Sequence, residues 1–153
     1  MKQQLFFIFL LFLSVHGISQ TNQIEYIENQ GQWDAPFRFK GIGSGGNIFL
    51  KQDGFRISMA DATNSAYLHG VHHGVSFDKI VLRYHAFDIN FVNCNKDIQM
   101  TAQKPQKIYY NYFLGSNPQR WKTGIHPSLS VDYKGVYNGI DAHVYSEDGN
   151  IKY

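Results

Sequence analysis

The sequence predicts an all-β protein, an antiparallel β-sandwich or related sheet fold, preceded by a cleavable signal peptide. Three observations lead there. Apolar residues recur with period two in short runs: Phe55, Ile57 and Met59, then Phe87, Ile89 and Phe91, then Leu129, Val131 and Tyr133. That period marks strands with one buried face. Turn-forming residues bound these runs, as in Lys51-Gln52-Asp53-Gly54 and Ser146-Glu147-Asp148-Gly149-Asn150, where Asp-Gly supplies the positive φ of tight reversals. Finally, 12 Phe, 10 Tyr and 2 Trp among 153 residues, many beside β-branched neighbours, favour sheet over helix, and no segment carries an amphipathic helical pattern of useful length.

The elements follow in order. Lys2, the apolar run Leu5 to Leu13 and the small residues of Gly17-Ile18-Ser19 compose a secretory leader. Cleavage after Ser19 predicts a mature chain from Gln20, a single β-rich domain over 20–153, and a secreted, extracellular or cell-surface location. The apolar run is too short for an ordinary membrane crossing and no later segment is long enough, so no membrane span is expected. Ile24 to Glu28 and Phe37 to Lys40 are strand candidates around Trp33 and Pro36, with Gly41 to Gly46 as a flexible connection. Asn47 to Leu50 and Phe55 to Met59 form the clearest hairpin. Asp61 to Ser76 is small, polar and without period, a surface loop. Alternation returns over Lys79 to Val92, but Ile80, Leu82 and Tyr84 have the opposite parity to Phe87, Ile89 and Phe91, which predicts a bend, bulge or new strand at His85-Ala86. Ile108 to Leu114 reads as another strong strand, closed by Gly115-Ser116-Asn117-Pro118. Leu129 to Tyr133, a turn over Val136 to Gly139, and Ile140 to Val144 follow. The last three residues, Ile151 to Tyr153, begin a return strand too short to match its partner, so the domain is expected to be truncated at this edge and to belong to a longer polypeptide with further modules.

Charge excludes some functions. Without Lys2 the chain carries 13 basic and 12 acidic side chains, too even a balance to grip phosphate backbones, and nucleic acid is not an expected partner. Cys94 is the sole cysteine, so no internal disulfide can form, and between Asn93 and Asn95 it reads as a partly buried small side chain.

Candidate chemistry is sparse. His69, His72 and His73, with His85 nearby, are metal candidates because loop imidazoles at short spacing can converge on zinc or copper. Solvated loop histidines explain them more simply. Gly41-Ile42-Gly43-Ser44-Gly45-Gly46 satisfies a dinucleotide fingerprint in letters only, since it leads into a strand and not the helix N-terminus that would hold a pyrophosphate. Carboxylates such as Asp132 with Asp141, or Glu147 with Asp148, are better explained by turns and strand faces than by glycoside chemistry. Trp33, Tyr109, Tyr110, Tyr112 and Trp121 could form a stacking platform for carbohydrate. The plainer expectation is that most of them fill the core. No catalytic residue and no cofactor is expected.

Three blocks carry a family likeness: Tyr26-Ile27-Glu28-Asn29-Gln30-Gly31-Gln32-Trp33, then Tyr109 to Pro118 with Trp121, then Tyr133-Lys134-Gly135-Val136-Tyr137-Asn138-Gly139-Ile140-Asp141. His85-Ala86-Phe87 with Phe91, and Gly149 to Tyr153, fit the same order. The chain resembles the uncharacterised N-terminal domain of large secreted proteins from gliding Gram-negative bacteria. The resemblance implies continuation into β-propeller-type repeats, PKD modules and a C-terminal sorting signal for type IX secretion or gliding motility. It implies no catalytic residues. The expected function is therefore a noncatalytic structural or adhesive N-terminal module of a secreted or surface protein, in contact with a surface glycan or protein. A carbohydrate-binding module using exposed Tyr and Trp, and a metal-binding domain or enzyme using the His69/His72/His73 loop, are the alternatives.

Overall fold

The computed structural model describes residues 23–43, 45–64, 69–70, 73–74 and 81–153. The leader and its cleavage point at Ser19 lie outside the described residues, as do His72 and Ile80. What is described is all-β, with one curled antiparallel sheet and one small hairpin. The strands are β1 (Glu25–Glu28), β2 (Phe39–Gly43), β3 (Gly46–Lys51), β4 (Gly54–Ala60), β5 (Tyr84–Asn90), β6 (Gln99–Pro105), β7 (Tyr110–Tyr112), β8 (Lys122–Ile125), β9 (Ser128–Tyr137), β10 (Ile140–Glu147) and β11 (Asn150–Lys152).

Strand β9 is the hub. It pairs with β10 on one flank and β6 on the other, and meets β1 through Tyr26 and Ser128. The sheet then runs β1-β2-β3-β4-β5, while β11 lies outside β10. Ser146 Oγ accepts the backbone N–H of Ile24 at 2.8 Å and seals the junction of β1 with β10.

Inward-pointing residues from both limbs make the core: Tyr26, Phe39, Ile48, Leu50 and Phe55 meet Val131, Tyr133, Val136 and Val144. Curling brings distant strands into contact, since Phe91 packs edge-on against Tyr133 and Phe55 against Tyr153. Gly54 lets β4 and β5 approach. Its φ is +146°, and a Cβ there would lie 2.1 Å from the Ile89 carbonyl oxygen. Cys94 packs half-buried at the margin of this core, as a small apolar side chain would.

Several sequence expectations need correction. The glycine run is no flexible connection: Gly41 and Gly43 lie in β2 and Gly46 in β3, paired to one another in a tight hairpin. A Cβ on Gly41 would sit 2.4 Å from Ile48 and 2.8 Å from Ile24, so the residue type serves close packing. The earlier strand candidate at Phe37 begins instead at Phe39. Of the bend, bulge or new strand expected at His85-Ala86, the structure has the new strand: β5 starts at Tyr84 and pairs with β4 at seven successive positions without a register shift. The parity change falls where the strand begins. Ile108 to Leu114 yields only the three-residue β7. Of the expected loop Asp61 to Ser76, residues 65–68, 71–72 and 75–76 lie outside the described residues, and Thr63, Asn64, His69 and Gly70 have helical backbone within it; the turn after β9 narrows to Asn138-Gly139. Strand β6 carries too few apolar residues to register as a strand in the sequence. Among the described residues no helix is long and apolar enough to cross a membrane.

Candidate functional site

Parity along β1 divides its residues between two faces. Tyr26 enters the core, whereas Glu25 and Ile27 point to the outer face. Ile27 is nevertheless fully buried, and the β7–β8 hairpin is tied to the neighbouring Glu25 and Trp33. Tyr110 donates a 2.6 Å hydrogen bond to the Glu25 carboxylate, and Tyr112 packs edge-on against Trp33 with ring centroids 4.9 Å apart. A continuous aromatic layer extends from this contact across β2 and β3. Trp33 meets Phe37, Phe37 meets Phe49, and the Lys40 ammonium lies over both Trp33 and Phe49 at 5.6 and 5.9 Å. Cation–π attraction holds that lysine flat against the rings.

The loop carrying Trp33 is set by Asn29. Its amide donates to the carbonyls of Trp33 and Phe37, and its Oδ1 accepts from the N–H groups of Gly31 and Trp33. Buried Gln32 completes the loop by donating to Glu28 O and accepting from the Gln30 N–H. These polar side chains replace the strand ladder that an Asn-Gln-Gly-Gln segment cannot form.

The hairpin has a second face. Tyr110 and Tyr112 turn toward the sheet, so Tyr109, Asn111 and Phe113, of opposite parity, turn away from it. Tyr109 and Phe113 are each 61% exposed and Trp121 is 42% exposed. Phe113 and Trp121 stand perpendicular at 5.8 Å, and Tyr109 packs against His126. Asn111 Oδ1 accepts the Gly124 N–H at 2.9 Å, which fills the bulge where Tyr110 pairs with Ile125 and Tyr112 with Lys122. His126 Nδ1 lies 3.0 Å from Gln106 O and 2.9 Å from Ile108 O. Both partners are acceptors, so Nδ1 carries the proton. Trp121 Nε1 donates to Gly115 O, and Asn117 caps the short 3-10 turn Pro118–Arg120.

The expected aromatic platform therefore splits. Trp33 and Tyr112 are half-buried in the outer layer, Tyr110 is tied to Glu25, and Tyr109 and Trp121 face solvent. None joins the main core, against the plainer expectation, because Tyr110 and Tyr112 lie in the separate β7–β8 hairpin and Trp33, Tyr109 and Trp121 in the segments that flank the strands. Sequence reasoning missed Phe113, Asn111, His126 and Lys40. The period-two parity of Tyr109 to Phe113 was the signal that could have found the first two.

Other candidates come to less. His69 and His73 lie one helical turn apart, with ring centroids at 4.4 Å, and His85 sits on β5 against Phe87. Among the described residues no group of three or more His, Cys, Asp or Glu side chains could hold a metal ion. The carboxylates Asp132 and Asp141 have separate partners. Asp132 bonds His143 at 2.5 Å, while Asp141 accepts from Lys134 and from the Gly135 N–H, bonds that lower its pKa.

Residues 26–153 match a family described as a domain of unknown function, DUF7948. The chain belongs to this family. No curated protein and no solved structure matches it. The DUF7948 match takes in the Trp33 loop, the β7–β8 hairpin and the hub strand β9 together, so the outer aromatic layer and the sheet it covers are one domain.

Proposed function

We propose that this DUF7948 domain is a noncatalytic adhesive module of an exported protein, and that it makes contact through the outward face of β7–β8. One observation carries the reading. A short hairpin is anchored to the sheet by Tyr110 and Tyr112 yet leaves Tyr109, Phe113 and Trp121 in solvent, and exposed aromatic clusters of this kind mark interaction sites. The leader at Lys2 to Ser19 supports export, and the likeness to N-terminal domains of gliding-bacterial secreted proteins supports a place at the head of a modular surface protein.

The test is adhesion itself. The secreted chain, coupled to beads, is offered to bacterial cells and to polysaccharide-coated surfaces. Beads carrying the parent should be retained, and beads carrying Tyr109→Ala/Trp121→Ala should be retained at least tenfold less. Parent beads that do not adhere, or a double variant that adheres as well as the parent, would reject the reading.

A further inference from the structure

We infer that the outward face of β7–β8 is a saccharide site for a neutral pyranose chain, an inference that rests on the adhesive reading and names its ligand. The first argument is size. At 150–250 Å² per aromatic side chain, the exposed parts of Tyr109, Phe113 and Trp121 amount to on the order of 300 Å². A stable protein partner needs roughly 800 Å² on each side. Two or three sugar rings match the smaller area.

Chemistry points the same way. A pyranose presents apolar C–H faces bordered by neutral hydroxyls, and it seats on an aromatic face while its hydroxyls find donors and acceptors at the margin. Tyr109 and the perpendicular Phe113–Trp121 pair offer the faces, since an edge-to-face pair leaves the broad side of one ring unstacked. Asn111 and His126 offer the margin. With Asn111 Oδ1 engaged by Gly124, its amide N–H groups remain for a hydroxyl oxygen, and with Nδ1 of His126 protonated, Nε2 remains to accept a hydroxyl proton. The rings are preorganised, because the Gly124 bulge, the Trp121–Gly115 bond and the Asn117 cap fix the backbone beneath them.

The probes are cellohexaose, chitohexaose, laminarihexaose and mannohexaose, each titrated into the secreted chain by calorimetry and by tryptophan fluorescence. At least one should bind with a change in Trp emission. Tyr109→Ala and Trp121→Ala should each weaken that binding at least tenfold without loss of the β circular-dichroism spectrum, while Val92→Ala, another exposed apolar position, should leave it unchanged. Failure of all four probes to bind, or binding that survives both aromatic variants, overturns the inference. The bead assay separates the two levels. Adhesion that needs Tyr109 and Trp121 but is not competed by any hexasaccharide overturns the saccharide site and leaves the adhesive module standing, whereas parent beads that never adhere reject the adhesive module.

Discussion

The hydroxyl of Tyr133, at the centre of β9, donates a 3.0 Å hydrogen bond to the Lys51 carbonyl at the end of β3, joining the two limbs of the curled sheet across 82 positions of sequence. The ring is fully buried, and burial holds its phenol well above the usual tyrosine value. Tyr133→Phe keeps the packing but removes this bond and the longer one to Gly54 O at 3.4 Å. It should cost about 1–2 kcal/mol in urea unfolding, and a variant as stable as the parent would show that the bond contributes nothing.

Burial of Tyr26 and Tyr133 also sets the alkaline limit of stability. Both phenols titrate higher in the folded than in the unfolded chain. Their contribution is therefore complete below the unfolded value near 10 and is lost as pH rises from there toward the folded values. Unfolding followed by circular dichroism should show stability falling steadily above about pH 10. A flat profile to pH 12 would contradict the burial of these rings.

Glycine positions separate strict from permissive backbone. Gly54→Ala forces a Cβ into the Ile89 carbonyl oxygen at a φ of +146°, and should destabilise by about 3 kcal/mol or more. Gly45→Ala meets nothing within 4 Å and should stay within about 0.5 kcal/mol of the parent. Thermal melts of the two variants check the contrast, and equal losses would refute it.

How far the fold could be read from sequence depends on where apolar alternation is strong. The hairpin of β3 and β4 was legible because Asp53-Gly54 separates Ile48 and Leu50 from Phe55 and Ile57, all of which face inward. Strand β6 was not, since Gln99 and Thr101 are exposed, half-buried Gln103 is polar, and only Met100 and Ala102 pack against the core, so its place beside β9 is a tertiary matter. The parity change before Phe87 is visible in the sequence as a bend, a bulge or a new strand, and the start of β5 at Tyr84 selects the last of the three. For the site, residue types were legible and their partition was not. Whether Tyr109 or Tyr110 faces the sheet depends on Glu25, 85 positions away, and no local pattern contains that information.

The acid side is governed by exposed ion pairs. Asp88 is paired with Arg56 at 2.7 Å, and that bond lowers its pKa. Asp141 is lowered by Lys134 and the Gly135 N–H. A carboxylate whose folded value is depressed stabilises above its unfolded value and loses that stability as pH falls through the folded one. Stability should therefore hold through pH 5 and decline below about pH 4. Asp88→Asn should make that decline shallower, and an unchanged acid profile would remove the pair from the account.

Tyr110 offers a way to loosen the proposed contact face without touching its outward rings. Its phenol is pushed up to about 12, first by the hydrogen bond it donates to Glu25 and then by burial. Because the folded value is the higher one, this contribution is complete below pH 10 and is lost between about pH 10 and 12. Tyr110→Phe removes the bond, so alkaline destabilisation over that interval should be shallower by one proton, while Tyr26 and Tyr133 continue to titrate. At neutral pH the global cost should be small, within about 1 kcal/mol, since the bond lies at the surface. Local opening should rise more, because the Tyr110–Glu25 bond and the Tyr112–Trp33 contact both tie β7 to the β1 side of the sheet, and only the second would remain. Hydrogen exchange at Tyr110 to Tyr112 and Lys122 to Ile125 should therefore speed several-fold in Tyr110→Phe while β9 stays protected. If hairpin and hub exchange at unchanged rates, the Tyr110–Glu25 bond is not what holds β7–β8 against the sheet.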